Sequence, residues 1–292
     1  MEDWIKAGRI ASEAREYGLS LMKENIKVID ILDKIEKFIE EKKAKCAFPP
    51  QISINQIAAH YTSPIQDETI IKEGDIAKLD IGVHINGCIA DTAKTIEIKT
   101  KNNQNLIKAS EEALNEAIKI VKPGTELREI GKKINETITK YGFKPVKNLS
   151  GHEIKEYNIH AGITIPNFDN GDKTKLKEGQ IIALEPFATT EDGFVKEGKP
   201  SRIYRLAQLK QPRDKTSREI IEYIYENFKT LPFTERQLLK KFNITQIRLN
   251  LPKLEKENYI YQYPMLPEAT NGLVSQAEHT IIVKKESIIT TL

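Results

Sequence analysis

Four acids and three histidines carry the chemistry this sequence can do. Asp80 and Asp91 lie in a stretch, Lys78 to Ala93, that alternates around Asn86-Gly87. An Asn-Gly pair flanked by alternating residues is a strong signal for a two-residue hairpin with a type I′ turn. That turn fixes the register, placing Asp80 opposite Ala93 and Asp91 opposite Gly82. The two Asp are then diagonal neighbours on one sheet face, about 5–8 Å apart. Leu79, Ile81, Val83 and Ile85 point to the other face. Asp is disfavoured in strands. Two carboxylates on one face repel unless a cation sits between them or they share a proton; the plainer alternative is a solvated face with two unrelated acids. The face is expected to hold no Lys or Arg beside them, which favours a metal.

Further oxygen donors occur in similar contexts. Glu185 ends the apolar run Ile181–Leu184 directly before Pro186, and Glu278 sits inside Val274–Val283 on the face of Gln276 and Thr280. A Glu buried in a strand is rare unless paired or metal-bound; an edge-strand charge is the alternative for each alone. His60, His152 and His160 fall in segments flanked by Gly, Pro or small residues and are read as loop residues, where sites are often carried. A lone His is more often structural. Two Asp, two Glu and one His make an oxygen-rich set, suited to a pair of Mn, Fe, Co or Zn ions rather than to a thiolate zinc site. Two such ions about 3.5–4 Å apart clamp a hydroxide and polarise a carbonyl.

Helices and strands must position these groups. Apolar residues recur at helical spacing over 3–22 and again from Val28 to Ile39. Residues 76–98 read as a strand pair and 104–121 as a helix stopped by Pro123-Gly124. Thr125 is expected to cap a further helix ending at Gly142. Val28, Ile31, Ile35 and Ile39 reappear 99 residues later as Leu127, Ile130, Ile134 and Ile138. Any two amphipathic helices can be aligned in this way; the sharper reading is an internal duplication, two halves facing across a cleft. Residues 180–187 and 272–284 read as buried strands. Between them, about 213–262, helical patterns at 215–229 and 234–242 and a Tyr-rich strand at 258–264 suggest a compact helical insertion. Its mild basic excess fits a solvated surface, with a weak ribosomal RNA contact as the other reading.

Composition excludes several classes. The 292 residues carry 45 basic and 42 acidic side chains, a net charge of +3, so nothing demands a nucleic-acid or anionic-membrane partner. With 15 Gly and 13 Pro the chain is no low-complexity or collagen-like sequence. Cys46 and Cys88 are the only cysteines and are expected to be reduced, as in a cytoplasmic protein; one bridge in a secreted protein is the alternative. The first residues are charged and lack the apolar core of a signal peptide. No apolar run approaches the ~20 residues of a membrane span.

Six motifs, in order, carry a resemblance: Ala58-Ala-His60-Tyr-Thr62, Asp80-Ile-Gly with Asp91, Asn148-Leu-Ser-Gly-His152, Ile159-His160-Ala-Gly, Leu184-Glu185-Pro-Phe and Ser275-Gln-Ala-Glu278-His-Thr. Together they resemble the type 2 methionine aminopeptidases of the M24 "pita-bread" family over nearly the whole chain. The insertion before the last motif marks type 2. The chain lacks the Lys-rich N-terminal extension of eukaryotic members and so looks like the short archaeal form. The resemblance implies an α/β (α+β) fold, a pseudo-two-fold pair of helix–antiparallel-sheet halves in one catalytic domain over 1–292 with the helical insertion within it. It implies two divalent ions (Co, Mn, Fe or Zn) held by Asp80, Asp91, His152, Glu185 and Glu278, with Asp91 and Glu278 bridging. His60 and His160 would contact the substrate, Glu185 would also shuttle a proton, and Phe48 and Ile159 would line the pocket for the Met side chain. Within the insertion only Leu231-Pro-Phe-Thr-Glu-Arg looks familiar. The implied activity is removal of the initiator Met from nascent proteins with a small second residue, by attack of a metal-bridging hydroxide on the scissile carbonyl. The enzyme is expected to be a cytoplasmic monomer with no membrane or sequence-specific nucleic-acid partner. The rival readings are a proline-specific, prolidase-like peptidase of the same fold and a non-enzymatic relative that binds RNA or ribosomes.

Overall fold

A computed structural model describes residues Met1–Leu292. Two helices open the chain, α1 (Glu2–Leu21) and α2 (Val28–Glu41). A short strand β1 (Lys45–Cys46), the pair β2 (Gln51–Ile54) and β3 (Ile57–Ala59), and the long hairpin β4 (Ile76–Ile85) and β5 (Cys88–Glu97) follow. The plan then repeats: α3 (Gln104–Ile118), α4 (Leu127–Lys140), β6 (Lys144–Pro145), the pair β7 (Ser150–Lys155) and β8 (Asn158–Pro166), β9 (Ile181–Leu184) and β10 (Phe187–Thr189). Next come β11 (Pro200–Leu206), α5 (Lys215–Phe228), β12 (Phe233–Thr234), the single turn α6 (Glu235–Leu238), α7 (Ile244–Lys256), β13 (Ile260–Pro264) and β14 (Leu266–Pro267). The chain closes with β15 (Val274–Ile282) and β16 (Ile288–Ile289).

One eleven-stranded sheet spans both halves, its main path running β1-β4-β5-β15-β9-β7-β8 with all neighbours antiparallel. The helices cover one face. Val28, Ile31, Leu32, Ile35 and Ile39 of α2 are at most 1% exposed and pack with α1, β4 and β5 in one core. Leu127, Ile130, Ile134 and Ile138 of α4 are equally buried in a second core with α3, β9 and β15. Burying each such side chain contributes about 1.5–3 kcal/mol.

The duplication extends to the backbone. Lys27 bridges Ile70, and Glu126, 99 residues on, bridges Lys175. The Val28 N–H donates to the Thr69 carbonyl at 2.9 Å, and the Leu127 N–H to the Thr174 carbonyl at 2.9 Å. Gly74 N–H donates to Ile98 O and Gly179 N–H to Val283 O. By these pairs β4–β5 corresponds to β9–β15. The first hairpin closes through Asn86-Gly87, whereas in the second all the elements from β10 to β14 intervene, of which β10 stays in the central sheet, paired with β15 and β6. Among these, β11–β13 form a separate three-stranded sheet that shares a third core with α5 and α7.

Two local expectations need correction. Glu126, not Thr125, caps α4: Glu126 and Glu129 form a reciprocal capping box, and the Thr125 hydroxyl instead donates to Ile120 O at 2.7 Å. In the segment 234–242 only a single turn is helical, and the second long helix of the region is α7, whose interior Pro252 and sparse apolar stripe obscure its periodicity. The register of β4–β5 is as the turn dictates, Asp80 opposite Ala93 and Asp91 opposite Gly82. Asn86 (φ 52°) and Gly87 (φ 90°) both take the left-handed conformation this turn requires.

The Gly87 carbonyl accepts from Tyr157 N–H at 3.0 Å, tying this turn to the one joining β7 and β8. A Cβ on Gly87 would lie 2.3 Å from the Tyr157 ring. Gly87→Ala is therefore expected to lower stability by roughly 1–3 kcal/mol, from strain and overpacking together. A guanidinium midpoint shift checks it.

Candidate metal centre

Asp80, Asp91, His152, Glu185 and Glu278, drawn from β4, β5, β7, the end of β9 and β15, all line one cleft of about 310 Å³. Each is placed by a strand whose apolar residues belong to the cores. Pro186 lacks an N–H, and at Glu185 the chain leaves β9 before resuming as β10. Glu278 pairs with Ala93, whose small side chain leaves space in front of it. Asp91, His152 and Glu278 are buried, and Asp80 and Glu185 are half-buried towards the cleft.

Ligand-type atoms of Asp91, His152 and Glu278 all lie within 4.8 Å of one another. His152 Nε2 is 3.8 Å from Asp91 Oδ2 and 3.5 Å from Glu185 Oε1. Asp80 Oδ1 and Asp91 Oδ1 are buried with no hydrogen-bond partner, an arrangement that costs free energy unless something else engages them.

The electrostatics agree with a cation site. Burial pushes Asp80 up to about 7, with the Gln276 amide beside it pulling the other way. Burial, then Asp80 and Glu185, holds Asp91 well above the usual carboxylate range. Glu185 is raised by burial and Asp80, and Glu278 by burial, Asp91, Glu185 and Asp80. Burial lowers His152 to about 3, keeping the imidazole neutral and able to ligate. Four carboxylates and a neutral imidazole with no counter-cation among their ion pairs suit hard or borderline divalent ions. The residues fit such ions.

Lys78 corrects one expectation. It lies two residues before Asp80 on the same strand face and is fully buried. Its ammonium is spent elsewhere, donating to Asn55 O at 3.0 Å and Val274 O at 2.9 Å. Burial lowers it to about 7. His152 and His160 also differ from expectation, since both sit in strands, β7 and β8; only His60 lies outside one.

His160 is exposed on the cleft, its ring 4.5 Å from that of His152 and nearly perpendicular to it. His60 takes a left-handed φ of 66° just after β3. Its N–H donates to Gln51 Oε1 at 2.7 Å, and its Nδ1 lies 3.0 Å from Pro264 O. A carbonyl only accepts, so Nδ1 carries the ring proton and Nε2 is left as an acceptor. Burial lowers His60 to about 4, so it is neutral. Phe48 and Ile159 form part of the apolar wall. Gly82 makes room for Phe48, because a Cβ there would lie 2.2 Å from its ring.

Sequence reasoning missed several neighbours. Tyr263 lines the cleft with its ring 5.6 Å from His60. Ile203, Pro232 and Leu266 complete the wall from the β11–β14 region. Gln276 lies 3.4 Å from Glu278 Oε2. The available signals were the Tyr-rich run at 258–264 for Tyr263, the strand face shared with Glu278 for Gln276 and the Leu231-Pro-Phe-Thr-Glu-Arg stretch for Pro232; nothing local distinguishes Ile203 and Leu266.

The sequence matches the metallopeptidase family M24 over residues 2–284. It is 46% identical over 288 residues to the methionine aminopeptidase of Pyrococcus abyssi, with 98% of this chain and 97% of that protein covered. Among solved structures, a thermophilic Arx1 superposes with a TM-score of 0.85 at 18% identity, covering 99% of this chain and 90% of that one. Methionine aminopeptidase from Rickettsia prowazekii gives 0.71 at 22% identity, covering 99% and 95%. At such identities the two structures speak to the fold alone.

Asp80, pushed up to about 7, is partly protonated at pH 7, and a divalent ion must displace that proton. Titrating metal-stripped, weakly buffered protein with Mn²⁺ is expected to release protons at pH 7 and fewer at pH 9, where Asp80 is already ionised. A pH indicator reads this, and equal release at both values would contradict the raised pKa values.

Proposed function

The chain belongs to metallopeptidase family M24, and we propose that its activity as a methionyl aminopeptidase is carried by two divalent ions held by Asp80, Asp91, His152, Glu185 and Glu278. The observation that supports this most is the convergence of four carboxyls, each raised by burial, and a neutral imidazole on one cleft. The fold is the pita-bread arrangement of two helix–sheet halves. Bound there, such ions would supply Lewis acidity and lower the pKa of water towards neutrality.

The substrate in this reading is a nascent chain beginning with Met and a small second residue. Phe48 and Ile159, with Tyr263 in the same lining, would enclose the Met side chain by burying its apolar surface. His60, protonated on Nδ1 by its carbonyl partner, would accept a hydrogen bond from the scissile N–H through Nε2. The preference for a small second residue would follow from steric limits beside His60. His160, open to the cleft, would hydrogen-bond the scissile carbonyl oxygen as charge develops there. Glu185, raised by burial and by Asp80, would take up and return a proton. Asp91 and Glu278, on facing strands of the seam, would be the bridging pair.

Residues 1–292 would act as one catalytic domain, with the helical subdomain at about 213–262 furnishing Pro232 to the cleft. The protein would work as a cytoplasmic monomer; no helix is long and apolar enough to cross a membrane. A ribosome contact finds no support beyond the mild basic excess of that subdomain. The proline-specific and non-enzymatic alternatives are not favoured, because the near full-length relatives are methionine aminopeptidases.

Two tests follow from these assignments. Metal-reconstituted protein is expected to release Met from Met-Ala-Ser while leaving Ala-Ala-Ser and Xaa-Pro dipeptides intact; cleavage of Xaa-Pro instead would restore the proline-specific reading. His160→Ala is expected to lower kcat by about 10²–10⁴, whereas Asp80→Ala, His152→Ala and Glu278→Ala should abolish turnover and reduce bound metal in folded protein. A folded Glu278→Ala chain with full metal content would remove Glu278 from the ligand set.

A further inference from the structure

We propose that the hydroxyls of Thr95 and Thr280 are spacers that set the separation of the strands bearing Asp91 and Glu278, making these threonines positioning residues for the carboxylates between them. The proposal rests on the metal reading above. Strands β5 and β15 join the two halves, yet they pair at only two positions, Ala277 with Lys94 and Glu278 with Ala93. On either side of that short ladder a side chain replaces the direct backbone bonds.

The Thr280 hydroxyl accepts from Asp91 N–H at 2.7 Å and donates to Asp91 O at 2.8 Å. The Thr95 hydroxyl accepts from Gln276 N–H at 2.8 Å and donates to Gln276 O at 2.6 Å. Asp91 pairs with Gly82 at a position whose backbone groups point away from β4, so they face the seam. A direct ladder holds strands about 4.7–4.9 Å apart. An interposed oxygen bonded to both backbone groups of the facing residue holds the strands wider.

The arrangement is symmetric. Gly74 and Ile98 in the first half match Gly179 and Val283 in the second, which aligns β5 with β15 at an offset of 185 residues. The same offset carries Thr95 onto Thr280, Asp91 onto Gln276 and Ala93 onto Glu278. The pseudo-two-fold axis thus passes between the paired Ala93 and Glu278, and each half sends one threonine across it.

On the Asp91 side the spacer is itself buttressed. Thr291 Oγ1 accepts from Thr280 N–H at 3.1 Å and lies 2.8 Å from His279 Nδ1. Arg15 Nη1 donates to Thr291 O at 3.2 Å and to Thr92 Oγ1 at 2.6 Å, and Thr92 in turn donates to Glu278 O at 2.9 Å. Helix α1 lies so close to this tail that a Cβ on Gly8 would meet Thr290 O at 2.2 Å. Asp91 and Glu278 are therefore held at their own backbones by hydroxyls anchored to α1 and to residues 290–291.

The test compares T280V, which keeps the shape and removes the hydroxyl, with T280S, which keeps the hydroxyl. Mn²⁺ binding to stripped protein is followed by calorimetry, the bound pair by electron paramagnetic resonance, and folding by circular dichroism. Folded T280V is expected to bind Mn²⁺ about 10–100-fold more weakly, with an altered spin-coupled signal and a lower kcat at unchanged KM; T280S should restore all three. Folded T280V with wild-type affinity and signal would overturn the proposal. If T280V does not fold, T95V carries the same comparison; failure of both to fold would assign the hydroxyls to stability alone and overturn it too. Asp91→Ala run alongside separates the two claims. Undiminished metal binding there would sink the ligand assignment and this proposal with it, whereas a loss there beside wild-type T280V would sink the spacer alone.

Discussion

The structure is organised around the cost of gathering four carboxylates in one seam. Removing charges from water is unfavourable, and bringing like charges together adds to the penalty. Here each of the four has a raised pKa, with burial the first cause in every case. An arrangement of this kind persists only where the surrounding structure over-determines it. The donors accordingly sit in or beside strands of the central sheet, backed by two helix-covered cores of 19 buried residues each. A bound cation would offset the repulsion directly, so part of its binding free energy would reappear as stability of the fold.

The duplicated halves explain how the acids meet without being neighbours in sequence. Asp80 and Glu185 occupy equivalent positions, 105 residues apart, as do Thr69 and Thr174 in the bonds that tie each second helix to its sheet. Asp91 and Glu278 are not equivalents: their counterparts are Gln276 and Ala93. The second half has therefore exchanged one acid for an amide and placed its own acid on the axis. Gln276 still approaches Glu278 at 3.4 Å, and its amide lowers the pKa of Asp80 against burial. An imidazole, His152, fills the remaining side from a strand that pairs with β9.

Much of this was legible in the sequence, for reasons of local physics. Asn86-Gly87 dictates its own turn, the turn dictates register, and register puts Asp80 and Asp91 on one face. The stripe in α2 and its echo in α4 follow from helical periodicity alone. What failed was information that is not local. Lys78 belongs to the same face as Asp80, but its ammonium is consumed by carbonyls at the β2–β3 turn and the start of β15, far away in sequence. His152 and His160 stand in strands because pairing with β9 and across β7–β8 outweighs their small, turn-prone neighbours. The amphipathicity of α7 is blurred by Pro252; a capping box of Asn243 and Gln246 starts the helix, and its buried residues share a core with α5 and β13. The two-fold role of Thr95 and Thr280 could not be seen without knowing that β5 and β15 are adjacent.

The two halves depart from symmetry in what joins their paired strands. In the first half two residues suffice to join β4 to β5. In the second, the chain between β9 and β15 builds a separate sheet and core before returning. That detour brings Ile203, Pro232, Tyr263 and Leu266 into the lining of the cleft alongside Phe48 and Ile159. It is locked to the first half by the buried Arg236, which donates to Ser63 O at 2.9 Å and pairs with Glu36 and Asp33 on α2. Glu235 beside it accepts from Ile65 N–H at 2.9 Å. The loop so clamped, 63–65, follows closely on His60, whose ring is fixed through Pro264 at the far end of β13. The subdomain therefore grips His60 from both sides, through the loop after it and through the carbonyl that sets its tautomer. Symmetric elements bring the four carboxyls and His152 together, and the asymmetric one walls the cleft and orients the His60 ring.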